Sequence, residues 1–256
     1  MSKKTVLVTG ATGIIGRIVT EDLAGRYAFT KASRREIAGE GWVKIDIASE
    51  YGRFAELVAA HDAVVHLAYA EEDDATTANL AMTKNVYRAV HAAEPHPRLV
   101  MASSVHAVNR AIDWSAEPYA SIARRAFDAV KERPPLVGVD APLSPDAPYA
   151  ALKGYIELLG RAYSYRGVEM VVVRYGGVRL DDVIPDEPGY HCFFLSRRDC
   201  AHVVERAIEA DLAEPYNLVF ATSRNTWAVY DISDAVTRLG YAPRDDAEDF
   251  VGRRPK

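Results

Sequence analysis

Tyr149 and Lys153 stand four residues apart in the segment YAALK, and Ser103-Ser104 close a β-rich run, RLVMASS, upstream of them. On a helix, side chains at i and i+4 share one face. The lysine ammonium can therefore sit beside the phenol and draw its pKa down from about 10 toward neutrality. A tyrosine tuned in this way is a general acid or base, and a serine hydroxyl opposite it can hold the oxygen that exchanges the proton. Tyrosine and lysine fall at this spacing on many helices by chance, so the pair draws its meaning from what accompanies it.

A second motif supplies that company: residues 5–16 read TVLVTGATGIIG, a run of β-formers ending in Gly10, Gly13 and Gly16, followed by a helical pattern. Gly10 lets the chain turn sharply off the strand, Gly13 lets the backbone approach a pyrophosphate, and Gly16 lets helix and strand pack closely. The amides and positive dipole end of the helix, at Ile14 and Ile15, then face an anion. A glycine-rich turn without a ligand is the plainer alternative. Placement directly after a strand favours dinucleotide binding.

These groups meet only if the elements carrying them converge. Ile15, Ile18, Val19, Asp22 and Leu23 give a mostly apolar stripe that predicts a helix over 14–24. Further helices are predicted over 51–60, 76–93 and about 146–166, with strands over 27–32, 42–45, 62–67, 98–102 and 169–174. Such alternation predicts an α/β fold, a Rossmann-type doubly wound parallel sheet whose ligands sit at the carboxyl ends of the strands. Asp46 and Ile47 then offer an adenine edge after the third strand, and Leu67, Ala68 and Tyr69 follow the fourth where a cofactor would lie. Asn79, on the next helix, faces the same region, while His66 reads as a core histidine. After the second strand, where an NAD-preferring fold places an acid on the ribose 2′-hydroxyl, the chain has Ser33-Arg34-Arg35 and no acid until Glu36. Ser33 can donate to a 2′-phosphate and Arg34 or Arg35 can pair with it, so NADP is favoured over NAD.

Residues 111–148 are the least regular, with an amphipathic helix expected over 118–131 and prolines interrupting the stretch after it; they read as a surface excursion beside the site. The expected organisation is a dinucleotide-binding domain over 1–175 with the Ser104, Tyr149 and Lys153 set. Residues 176–256 would form mostly a small substrate-covering lobe, with a helix returning to the core. A chain of 256 residues, 49% hydrophobic, can bury one large core plus such a lobe. The net charge is −5 with acids and bases interspersed, which leaves no basic face for nucleic acid or anionic lipid and points to a small-molecule partner. Two cysteines, Cys192 and Cys200, have no Cys-x-x-Cys spacing and no histidine cluster, so neither a disulfide framework nor a metal site is predicted. The first strand begins at once, with no room for a signal peptide, and no apolar run approaches the ~20 residues of a membrane helix. A cytoplasmic protein is the expectation.

The chain resembles an extended short-chain dehydrogenase/reductase: TGATGIIG is similar to the family's TGxxGxxG, SSVHAVN to its serine segment, and YAALK to its YxxxK. The resemblance implies Ser104 as the hydroxyl on the substrate oxygen, Tyr149 as acid/base, and Lys153 as pKa tuner and ribose ligand. Asn79 resembles the family's helix asparagine. Later segments, NTWAVYD and LGYAPRDDAED, resemble uronate dehydrogenases and related archaeal sugar or sugar-phosphate 1-dehydrogenases. The implied reaction is NAD(P)-dependent oxidation of the anomeric C1 hydroxyl of an aldose, uronate or aldose phosphate to the lactone, with Ser104 and His106 orienting the oxygen. Two departures stand out. Val105-His106 replaces the Asn-His of uronate dehydrogenases, and the arginine they set on the carboxylate has no counterpart around Tyr190, His191 and Cys192. Arg110, Arg124 and Arg125 in the excursion offer a phosphate pocket instead. A nucleotide-sugar epimerase or carbonyl reductase is the alternative within the family, and a non-catalytic dinucleotide sensor the alternative outside catalysis. The helices starting near Thr76 and Asp146 are candidates for a homodimer interface, as is common in relatives.

Overall fold

The centre of the sheet is built from strands whose apolar runs have cover on both faces. In a computed structural model that describes residues 3–71 and 76–253, β1 (Lys4–Thr9), β4 (Ala63–His66), β5 (Arg98–Ser104) and β6 (Met170–Tyr175) are almost wholly buried. They are flanked by β2 (Tyr27–Ser33), β3 (Trp42–Lys44) and a later strand, β9 (Tyr216–Ala221). The order is β3-β2-β1-β4-β5-β6-β9, and every pairing is parallel. Two short strands, β7 (Gly177–Val178) and β8 (Phe194–Leu195), pair separately.

Side chains alternate strictly between the two layers of core. Val6, Val8, Val65, Val100 and Val173 pack with α1 (Ile14–Asp22), α6 (Arg197–Glu209) and α7 (Ser233–Leu239). Leu7, Val64, Leu99, Met101 and Val172 pack with α2 (Tyr51–Ala59), α3 (Thr76–Ala92) and α5 (Pro148–Ser164). Such double burial explains why these strands read as unbroken hydrophobic segments. The predicted parallel doubly wound sheet is therefore present, with element ends within a few residues of expectation. Pro148, grouped in the sequence with the helix-breaking prolines, instead opens α5 at its first turn, where its missing N–H costs nothing.

The helix expected over 118–131 does not form. Only α4 (Tyr119–Ala123) and a 3₁₀ turn at Phe127–Ala129 appear, separated by Arg125 at φ 58°. Arg125 is drawn into a two-pronged bond with Glu248 at 3.0 and 2.7 Å, and Phe127 stacks on Trp227 at 4.2 Å. These distant partners override local helix propensity. The excursion thus has its own core, Val105, Val108, Ile112 and Ile122 against Phe220, Val229 and Tyr230, and is pinned by a bridge between Val137 and Tyr230. Beyond residue 175, β9 extends the sheet in addition to the helix that returns to it.

Candidate active site

The chain reverses its direction of travel across the sheet between β1 and β4, and at such a switch point the strand ends part to leave a crevice. Here the crevice runs on without a break. A cleft of about 850 Å³ lies over Gly10, Thr12, Gly13, the residues 32–37, Ile45, Ile47 and 67–71. A second cavity of about 390 Å³ shares Gly10, Gly13, Leu67 and Tyr69 with it and adds Ile14, Ile15, Ser104, Tyr149 and Lys153. A third, of about 310 Å³, shares Ser104, Tyr149, Tyr175 and Gly176 with the second and adds His106, Glu187, Tyr190 and Phe193.

The glycine turn fits a dinucleotide. Gly10 adopts φ 69°, and a Cβ on it would fall 2.6 Å from the Ala68 nitrogen. A Cβ on Gly16 would fall 2.3 Å from the Gly10 oxygen, so turn and helix pack as closely as the spacing predicts. On Gly13 a Cβ would meet only the Gly10 oxygen, at 3.3 Å, so this residue faces open cleft. It is also the N-cap of α1 with no side-chain cap bond, which leaves the first amides of the helix available to an anion. Ser33 and Arg34 stand on the wall of the large cleft, as do Ile47, Leu67, Ala68 and Tyr69.

Two predicted contacts lie off that wall. The Asp46 carboxylate accepts from the Ala48 N–H at 2.9 Å, and so shapes the turn into α2. Asn79 is buried; its side-chain oxygen accepts from the Ala70 N–H and its amide donates to the Ala70 oxygen, both at 2.9 Å. It fixes the loop after β4 rather than projecting into the cleft. Conversely, Tyr175, Gly176, Glu187, Tyr190 and Phe193 were not expected in the site. The first two lie at the end of a strand and just past it, which is a usable signal; the others arrive with a 3₁₀ turn, Tyr190–Cys192, that no local pattern announces.

Tyr149 and Lys153 sit on the first two turns of α5, and Ser104 ends β5 in register with Tyr175. Lys153 is buried, donates to the Ala102 oxygen at 2.9 Å, and lies 5.2 Å from the centre of the Tyr149 ring and 5.8 Å from that of Tyr69. Tyr69 meets Tyr149 edge-on at 5.1 Å, and His106 approaches it at 6.1 Å. Burial raises the Tyr149 phenol above its ordinary value, with the hydrogen bond to Ser104 pulling it down. Burial also lowers the Lys153 ammonium to about 8. The expected net lowering of Tyr149 is thus not what the protein alone delivers, because burial of the phenol outweighs the groups that favour its ionised form. His66, packed beneath, is lowered to about 3 by burial first and by Lys153 second; its Nδ1 lies 2.7 Å from the Thr9 hydroxyl, so it is a core histidine as predicted.

Below the site, Ser103 donates to Glu157 at 2.5 Å, and Arg174 holds the same carboxylate through two bonds of 2.8 and 2.7 Å. All three are buried, and the set ties α5 to β5 and β6. Among the described residues no group of three His, Cys, Asp or Glu side chains is placed to hold a metal ion.

Known proteins resemble this chain along nearly its whole length. The chain is 31% identical to the L-arabinose 1-dehydrogenase (NAD(P)(+)) of Haloferax volcanii, over 96% of this chain and 98% of that one. It is 25% identical to the NAD-dependent glucose-6-phosphate dehydrogenase of the same organism, over 96% and 95%. The crystal structure of uronate dehydrogenase from Agrobacterium tumefaciens matches with a TM-score of 0.77 at 27% identity, over 98% of this chain and 88% of that one. Sugar-nucleotide epimerases are more distant neighbours. Residues 6–179, which span the glycine turn, Ser104 and the Tyr149–Lys153 pair, match the family model itself. The chain belongs to the NAD dependent epimerase/dehydratase family.

Proposed function

We propose that this protein is an NAD(P)-dependent sugar dehydrogenase that oxidises the anomeric C1 hydroxyl of an aldose to the lactone. The meeting of Ser104, Tyr149 and Lys153 where the glycine-lined cavity joins the smaller polar pocket carries this reading. Relatives that are sugar 1-dehydrogenases, matched almost end to end, support it. When bound, the nicotinamide dinucleotide supplies the hydride acceptor. Gly13, Ile14 and Ile15 would hold its pyrophosphate, and Ile47, Leu67, Ala68 and Tyr69 its flanking groups. Ser33, Arg34 and Arg35 favour NADP over NAD, since a 2′-phosphate there meets a hydroxyl and two cations, although Glu36 shares the wall.

On the sugar, the Ser104 hydroxyl holds the C1 oxygen and Tyr149 takes its proton. Lys153 braces the phenol from the β5 side, and His106 flanks the ring. Tyr149→Phe is expected to lower kcat by about 10³-fold or more while dinucleotide affinity stays within about twofold. Fluorescence titration with the dinucleotide, beside the rate assay, checks both; full turnover in this variant would sink the assignment.

Three broader features belong to the same proposal. Residues 176–256 supply the wall over the sugar, through Glu187, Tyr190 and Phe193. No helix of the described residues is long and apolar enough to cross a membrane, and both cysteines are buried free thiols, which supports a cytoplasmic setting. Exposed Leu80 on α3 and Leu158 on α5 mark the face for a homodimer.

A further inference from the structure

The smallest of the three cavities is where the bulk of a sugar would sit, and its charge lining is uneven. At about 310 Å³ it falls at the small end of ligand pockets, near the size of a single sugar ring. Its outer wall is Glu187, Tyr190 and Phe193. A Cβ on Gly177 would lie 2.5 Å from the Tyr190 ring, so that glycine is what lets the ring press on the strand end and close the pocket.

Among the described residues no lysine or arginine lines this cavity, and Glu187 is its one carboxylate. Among the charges that act on the Tyr190 hydroxyl, Arg179 is opposed by Glu187, Asp181 and Asp182. That cation is itself engaged by Asp181 at 3.3 Å. The excursion arginines, which the sequence offers for a phosphate, do not reach the cavity. Arg125 is bound to Glu248 at 2.7 Å, Arg124 to Glu117 at 3.4 Å, and Arg110 is exposed away from the wall.

A carboxylate or phosphate on the sugar would therefore meet no lysine or arginine on the cavity wall and face the like charge of Glu187. Sugar hydroxyls, in contrast, meet a carboxylate acceptor at Glu187 and a phenol that can donate or accept at Tyr190. We infer that the pocket selects an uncharged aldose over uronates and aldose phosphates, and that Glu187 sets this preference. The inference rests on the sugar-dehydrogenase reading above and narrows its substrate.

The test is kcat/KM for a matched panel: arabinose, glucose and galactose; glucuronate and galacturonate; and glucose 6-phosphate. The native protein should favour neutral sugars over anions by at least about tenfold, as a like charge near the substrate in a partly wet site predicts. Glu187→Gln should raise the anion-to-neutral ratio about fivefold, and Glu187→Lys further. Raising the salt should narrow the gap in the native protein and not in Glu187→Gln. Anions turned over as well as neutral sugars, or a ratio unmoved in both variants, would overturn the role of Glu187. Failure of every sugar, with dinucleotide still bound, would instead overturn the dehydrogenase reading and this inference with it.

Discussion

Tyr149 is pulled two ways: burial favours the neutral phenol, and the Ser104 hydroxyl favours the phenolate. Because the phenolate is the base in the proposed reaction, activity should climb with pH into the alkaline range. Ser104→Ala removes the group that stabilises the ionised form, so the climb moves to higher pH and kcat/KM at pH 7 falls about 10- to 100-fold. A pH–rate profile of both proteins checks this; a profile that keeps its position while falling in height would confine Ser104 to substrate binding. Lys153 was legible as a partner of Tyr149 from its spacing taken together with Ser104 and the glycine turn. Its bond to Ala102 and its burial were not, since both depend on β5 lying under α5, 51 residues away in sequence.

At the level of elements, the glycine turn, the buried strands and α5 were legible because each is specified by neighbours in the chain. Asn79 and Asp46 could be placed near the strand ends, but not oriented, because their partners are backbone groups of loops whose paths no periodicity encodes. The excursion was misread for the same reason at larger scale: Arg125 and Phe127 answer to Glu248 and Trp227, not to their own turn. The joint between α5, β5 and β6 is equally long-range, and it can be tested. Arg174→Leu leaves the Glu157 carboxylate buried without its cation, an expected loss of about 3–5 kcal/mol. Adding Glu157→Leu to Arg174→Leu should recover most of that loss, since an apolar pair replaces a lone charge. Urea unfolding of the native, single and double variants measures it; additive losses would show that the two residues act independently.

For the whole molecule, the parallel sheet was predictable from the alternation of patterns, and the share of the chain after residue 175 was the least so. That segment divides between β9 and α6, which finish the sheet, and the wall over the sugar. α3 and α5 pack side by side on one face of the sheet and leave Leu158 63% exposed at mid-helix, on the helix pair proposed for the homodimer. The native protein should elute at twice the chain mass, and Leu158→Glu at the mass of one chain, by light scattering after gel filtration. A native monomer would remove the proposed interface.

The bond from Arg125 to Glu248 and the bridge from Val137 to Tyr230 also set a timetable. A chain emerging from the ribosome has Gly10, Ser104, Tyr149 and Lys153 in hand well before Tyr230 and Glu248 are made, yet the excursion between Ser104 and Tyr149 finds its anchors only there. The proposed nucleotide site is thus furnished early, and the excursion beside it is anchored only after the wall of the sugar pocket has been made.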